Sequence, residues 1–371
     1  MSKSKERDLA RLLVQFSVNL QEGESCLINA VDVPEHMVEE LIQAVYDAGG
    51  YPQVNLTTIR LERALIAGAN KASLDLWADC DAYRMGKMDA FIGIRGIVNP
   101  REMASLTSSY HEYMRTYNTP VHHAIRVPHT KWVVLRYPTP LMAYQASMSM
   151  GEFEDFFYKV TIGVDYEAMN KAMQKAKVFL DAADKVHILA QGTDLKFSIK
   201  GMGAIPCAGE KNIPDGEIYS CPVRDSIEGT ITYNTPSTYN GHCFSDVSFT
   251  IKKGKIVEAT ADDTDALNAV LDTDEGSRYF GEFALGCNPN ITFAMDNTLF
   301  DEKIAGSIHL TPGNAYEDCD NGNRSAVHWD LVQIQTPTYG GGEIWMDGEL
   351  IRKDGVFVHE AFVDLNFNKQ H

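Results

Sequence analysis

Over the first 150 residues, short apolar runs alternate with stretches of helical periodicity, and this alternation restricts the fold more than any other feature. Cys26-Leu27-Ile28-Asn29-Ala30, Val54-Asn55-Leu56, Ala90-Phe91-Ile92-Gly93-Ile94 and Trp132-Val133-Val134-Leu135-Arg136 read as strands. Leu9, Leu12, Leu13 and Phe16 fall at helical spacing before the first of them. Pro34 opens a second helix through Met37, Leu41, Ala44 and Val45, closed by Gly49-Gly50. Further helical stretches run through Leu74, Leu76, Trp77 and Tyr83, and from Met103 to Tyr117. Strands separated by helices demand right-handed crossovers, so residues 1–150 are expected to form an α/β domain with a mostly parallel sheet.

The segment from Met148 to Ala183 is mostly helical by pattern, with Phe153, Phe156, Phe157, Met169 and Met173 as core or interface residues. From Lys185 onward the runs become short and closely spaced. Val247, Phe249 and Ile251 alternate, then Lys253-Gly254 turns into Ile256-Val257. Ile344 to Ile351 repeats the device around Asp347-Gly348. Such hairpins argue for antiparallel sheets. Residues 151–371 are therefore expected to form an α+β C-terminal domain rich in antiparallel strands, and the candidate metal-binding and catalytic residues given below all fall within it.

Several function classes are disfavoured. No G-x-G-x-x-G follows a candidate strand and no G-x-x-x-x-G-K-[ST] occurs, so a nucleotide fold is not indicated. The net charge of −18 repels phosphate backbones and argues against a nucleic-acid partner. No run approaches the roughly 20 apolar residues of a membrane helix. The charged start, Met1 to Asp8, lacks the apolar segment of a signal peptide. The seven cysteines are scattered without a C-x-x-C pair, which fits reduced thiols in a cytoplasmic protein and not a thiolate zinc site.

The residues that can carry chemistry cluster late in the chain. In His328-Trp329-Asp330, read as the start of a strand, positions two apart face the same side, so the histidine and aspartate converge while Trp329 turns away. His309 lies among apolar neighbours, where a core histidine bonded to a carboxylate is the plain alternative. Glu217 follows the turn Pro214-Asp215-Gly216, and as a simple turn acid it would need no partner. Glu282 sits in the apolar run Phe280 to Leu285. A buried carboxylate there needs a partner, either a metal or a cation such as Arg278. Tyr316 follows Pro312-Gly313 and is either a core tyrosine or a hydroxyl offered to substrate. Two Glu, two His and one Asp make a set that hard or borderline divalent metals accept. His122-His123 and His129 lack matching carboxylates and read as structural, and His242 takes no assigned role.

Taken together, Glu217-Ile218-Tyr219-Ser220-Cys221-Pro222, Gly281-Glu282-x-Ala284, His309-x-x-x-Gly313-x-Ala315-Tyr316 and His328-x-Asp330 resemble, in order and rough spacing, the thermophilic-type metallo-aminopeptidases of the aminopeptidase T and S group. Asn19 to Glu24, Asp274-Glu275-Gly276 and Asn297 to Glu302 extend the resemblance over nearly the whole chain. It implies a homodimer acting on peptides or small aminoacyl substrates. It implies two divalent ions (zinc, cobalt or manganese) held by Glu217, Glu282, His309, His328 and Asp330, with Tyr316 catalytic and Glu217 or Glu282 moving a proton. The chain departs from the pattern in the short interval of twelve positions from Tyr316 to His328, in Cys287-Asn288-Pro289, and in Trp329. A branch resembling the same family consists of dihydroxypyridine ring-cleaving dioxygenases, in which His309, His328 and Asp330 would hold one Fe(II) and a glutamate would serve as base.

Overall fold

A computed structural model describes residues 3–367. The chain divides into two compact units, Met1–Gly163 with Gly209–Ile213, and Val164–Ala208 with Pro214–His371. Among the described residues no helix is long and apolar enough to cross a membrane.

The first unit is built on four parallel strands, β1 (Ser25–Val31), β2 (Tyr51–Thr57), β3 (Ala90–Gly96) and β4 (Lys131–Tyr137), in the order β2-β1-β3-β4. The two-residue strand Asn212–Ile213 adds beside β4. β1 and β3 are central and almost wholly buried, which is why each reads as a near-continuous apolar run. The helix Glu35–Asp47 starts after Pro34 and turns its buried Met37, Val38, Leu41, Ala44 and Val45 inward. Two helices, Ile59–Ala67 and Lys71–Met85, stand where the pattern marks one. Ala78 and Met85 pack with Leu27, Phe91 and Val121 as a core on one side of the sheet. Thr107–Tyr113 is helical and continues as a wider helix over Met114–Arg126, well past the expected end at Tyr117.

The second unit opens with the helix Tyr166–Ala182, capped by the Asp165 carboxylate, which accepts from the Ala168 N–H. It contains an eight-stranded antiparallel sheet ordered Lys255–Thr260, Ser248–Lys252, Glu228–Thr232, Thr193–Ser198, Lys185–Ala190, Gly342–Met346, Glu349–Lys353 and Val356–Phe357. The two expected hairpins are present, and both central turn residues of each (Lys253 and Gly254, Asp347 and Gly348) have positive φ, the geometry that a tight two-residue hairpin requires.

A second antiparallel sheet in this unit carries the polar cluster. Its strands are β5 (Ile205–Cys207), β6 (Glu217–Ser220), β7 (Phe280–Gly286), β8 (Ser307–Pro312) and β9 (Val332–Ile334), lying side by side in that order. Every residue of β6 to β9 is buried. Carboxylates and a histidine on these strands therefore lie inside the unit and need partners there.

Candidate metal centre

The register of the second sheet aligns the candidate residues. Ala284 pairs with Tyr219 on one side and His309 on the other, Glu217 pairs with Gly286, and Glu282 pairs with Thr311. Side chains alternate across a sheet, so Glu217, Glu282, His309 and Thr311 project from one face. Val332 pairs with His309, and Asp330 lies two residues before it.

His328 is not the first residue of a strand, as the pattern suggests. It forms an isolated bridge with Gly313, and the ladder of β9 begins only at Val332. The segment is extended nonetheless, and the alternation holds. His328 Nε2 lies 3.3 Å from Asp330 Oδ1, whereas Trp329 is 2% exposed, donates from Nε1 to Ser237 Oγ at 2.8 Å and packs on Tyr239 and Phe244.

Glu282 is the centre of the cluster. Its Oε1 lies 3.2 Å from His309 Nε2 and its Oε2 lies 3.3 Å from His328 Nε2. Arg278, the alternative partner, is instead paired with Asp272 at 2.6 Å. Glu217 Oε2 lies 3.4 Å from the same nitrogen of His309. Ligand atoms of Glu217, Glu282 and His309 lie within 4.8 Å of one another, as do those of Glu282, His328 and Asp330, so two triads share Glu282.

The orientation of His328 is set by a backbone group. Its Nδ1 lies 2.9 Å from the carbonyl of Asn314, which can only accept, so Nδ1 carries a proton and Nε2 is the nitrogen that faces the carboxylates. Gly281 makes this possible. The register shifts between Phe280 and Glu282, and a Cβ at Gly281 would lie 2.1 Å from the Asn314 oxygen. Asp330 Oδ1 accepts from Thr311 Oγ1 at 2.7 Å, which fixes the aspartate as well.

Electrostatics mark the cluster as a place for positive charge. Burial lowers the pKa of both histidines, yet the carboxylates outweigh it. Glu217 and Glu282 push His309 up to about 10, and Asp330 and Glu282 push His328 up to about 12. Burial raises the Asp330 carboxyl but His328 pulls it far below the usual range. Burial raises Glu217, with Lys303 and His309 opposing it. Tyr316, 43% exposed, lies against His328 with ring centroids 4.6 Å apart and planes tilted by 48°. Packing and the charges of Glu282 and Asp330 push its hydroxyl well above the ordinary phenol value, so it stands as a proton donor.

Lys303 is the residue that pattern reasoning missed. It is fully buried, with Nζ 2.5 Å from Glu217 Oε1, 2.7 Å from Glu302 Oε1 and 3.6 Å from Asp215 Oδ1. A lysine after an acid in a polar turn carries no visible signal. Only the turn acid Asp215 and the neighbour Glu302 hint at a buried cation. The remaining histidines stand apart from the cluster: His242 lies 3.4 Å from Asp263, and His122 contacts Arg126.

Whether the cluster fits divalent ions is answered by its unpaired atoms. Glu217 Oε2 and His328 Nε2 are buried and have no hydrogen-bond partner. Divalent ions in place of the imidazole protons would satisfy these atoms together with the surrounding carboxylates. The donor set and these unpartnered atoms fit cations in both triads.

Comparison with known proteins agrees with this chemistry. The profile of the thermophilic metalloprotease family (M29) matches residues 2–357. The chain belongs to that family. As an M29 member it is a metal-dependent hydrolase. It is 25% identical to aminopeptidase 2 of Geobacillus stearothermophilus over 93% of this chain and 94% of the relative. It is 26% identical to aminopeptidase T of Thermus thermophilus over 92% and 93%. The fold is that of wild-type AmpT from Thermus thermophilus, with a TM-score of 0.79 at 23% identity, covering 97% of this chain and 100% of the other. A 2,5-dihydroxypyridine dioxygenase from Pseudomonas putida shares the fold more distantly, with a TM-score of 0.63 at 12% identity over 98% and 99% of the two chains.

Proposed function

We propose that this M29 chain is an aminopeptidase that removes N-terminal residues from peptides at a site for two divalent cations of zinc, cobalt or manganese type. One cation would be held by Glu217, Glu282 and His309, the other by Glu282, His328 and Asp330. The observation that carries this reading is the pair of triads sharing Glu282, with Glu217 Oε2 and His328 Nε2 unpartnered. Divalent ions there would supply Lewis-acid polarisation of the scissile carbonyl and a water of lowered pKa.

The chain's own residues supply the rest. A free α-amino group, in its neutral form, would be taken up at one of the two cation positions, which directs the site to a free N-terminus. Tyr316, a protonated donor beside His328, stabilises the oxyanion that develops on the carbonyl. A carboxylate carries a proton to the leaving amine, and Glu217 and Glu282 are the carboxylates facing this volume. The Asn314 carbonyl and Thr311 hydroxyl hold His328 and Asp330 in place, the role that outer partners of metal ligands have generally. The protein is further inferred to act as a homodimer in the cytoplasm, a setting that its seven free cysteines suit.

The oxygenase alternative groups His309, His328 and Asp330 around one iron. In the structure His309 belongs to one triad and His328 with Asp330 to the other, and Glu282 is common to both. The test is hydrolysis of aminoacyl amides by chelator-stripped protein after reconstitution with zinc, cobalt or manganese. Release of amino acid from free but not N-acetylated substrates supports the reading. Oxygen uptake with a dihydroxypyridine, and no hydrolysis, overturns it.

A further inference from the structure

The two triads do not have the same surroundings. Glu217 is bound through Oε1 to the ammonium of Lys303 at 2.5 Å, which leaves only Oε2 for another cation. Lys303 is fully buried, and its other contacts, Glu302 at 2.7 Å and Asp215 at 3.6 Å, lie outside both triads. Among the described residues Asp330 and Glu282 have no lysine or arginine within ion-pair distance, and their ionic contacts are histidines. A fixed positive charge therefore stands against one position only.

We propose that Lys303 is a positioning residue that makes the two cation positions unequal, so that the Glu282–His328–Asp330 position fills first and the Glu217–Glu282–His309 position fills second and more weakly. This rests on the two-metal reading above. Lys303 orders Glu217 by holding Oε1, which turns Oε2 towards His309, and it also repels an incoming ion at that position. With the second position empty, its ammonium supplies the charge that keeps Glu217 and its neighbouring carboxylates together inside the unit. The arrangement gives the site a resident cation at one end and an exchangeable one at the other.

The test is a calorimetric titration of chelator-stripped full-length protein with cobalt(II), with the visible absorption of cobalt followed in parallel. The wild type is expected to show two binding classes separated by about tenfold or more, the order of effect a unit charge exerts on a nearby divalent ion. Glu217→Gln should remove the weaker class and Asp330→Asn the tighter one. Lys303→Met, which removes the charge while keeping the length, should strengthen the weaker class by about tenfold and leave the tighter class in place. A role confined to holding the fold would lower thermal stability without changing the gap between the classes. Two classes of equal affinity in the wild type, loss of the tighter class in Glu217→Gln, or a folded Lys303→Met with an unchanged weaker class would each overturn the proposal and leave the two-metal reading standing. No cobalt uptake by the wild type would overturn both. If Lys303→Met does not fold, Lys303→Gln gives the same readout, and an unchanged weaker class in that variant would overturn the proposal.

Discussion

His328 Nε2 lies 3.3 Å from Asp330 Oδ1, although the residue between them, Trp329, is buried on the opposite side of the chain. An extended backbone explains both facts, since alternate side chains point in opposite directions. The indole makes this spacing rigid. It is clamped by Ser237, Tyr239 and Phe244, which fixes the backbone that carries the two polar side chains, while Asn314 and Thr311 orient their ends.

Trp329→Ala should therefore act twice. Loss of the buried indole is expected to destabilise the protein by about 3–5 kcal/mol, as large-to-small core changes do. Metal uptake should weaken as His328 and Asp330 lose their fixed separation. Denaturant unfolding and metal binding of the variant test the two effects. A stable variant with unaltered metal affinity would show that the clamp does not position the pair.

Tyr316 lies against His328 but contributes to neither triad. Tyr316→Phe is expected to lower kcat on aminoacyl amides by about 100-fold, the scale for losing one oxyanion donor, with metal content unchanged. Steady-state kinetics beside metal analysis checks it. A drop confined to KM would move Tyr316 from catalysis to substrate binding.

Asp301 supplies a pH prediction away from the triads. Burial pushes its carboxyl up to about 7, against the opposing N–H groups of Met295 at 2.9 Å and Asn297 at 3.1 Å. Its native pKa thus lies above the unfolded value of about 3.9, so the folded chain binds the proton more tightly. The contribution is full at low pH and is lost as pH rises through about 7. Between about pH 5 and 7 the wild type should lose on the order of 2 kcal/mol relative to Asp301→Asn. Urea unfolding of both proteins across that range measures the difference. Parallel pH profiles would contradict the assignment.

Much of the fold was legible because its signals are local. Gly254 and Asp347-Gly348 mark hairpins through φ values that few residues adopt, and the apolar runs of β1 and β3 mark strands covered on both faces. The cluster was legible only in pieces. That β6, β7 and β8 lie side by side depends on pairing of residues far apart in the chain, such as Gly286 with Glu217 and Ala284 with His309, and no local pattern encodes it. Resemblance to a family supplied that link. Lys303 was invisible because a lysine reads as a solvated residue until its carboxylate partners surround it in space. The Asn314 carbonyl that orients His328 is a backbone group and leaves no trace in residue type. Residues 209–213, which join the first unit, do so through a two-residue strand too short for any periodicity.

The most direct test of the central claim is the metal content of freshly purified protein, with zinc, cobalt, manganese and iron quantified per chain, for the wild type and for Glu282→Gln. Two triads sharing Glu282 predict about two zinc, cobalt or manganese ions per chain, removable by chelator, with both positions lost and activity abolished in the variant. About one iron per chain, with no second metal taken up on titration and content unchanged in Glu282→Gln, would contradict the account.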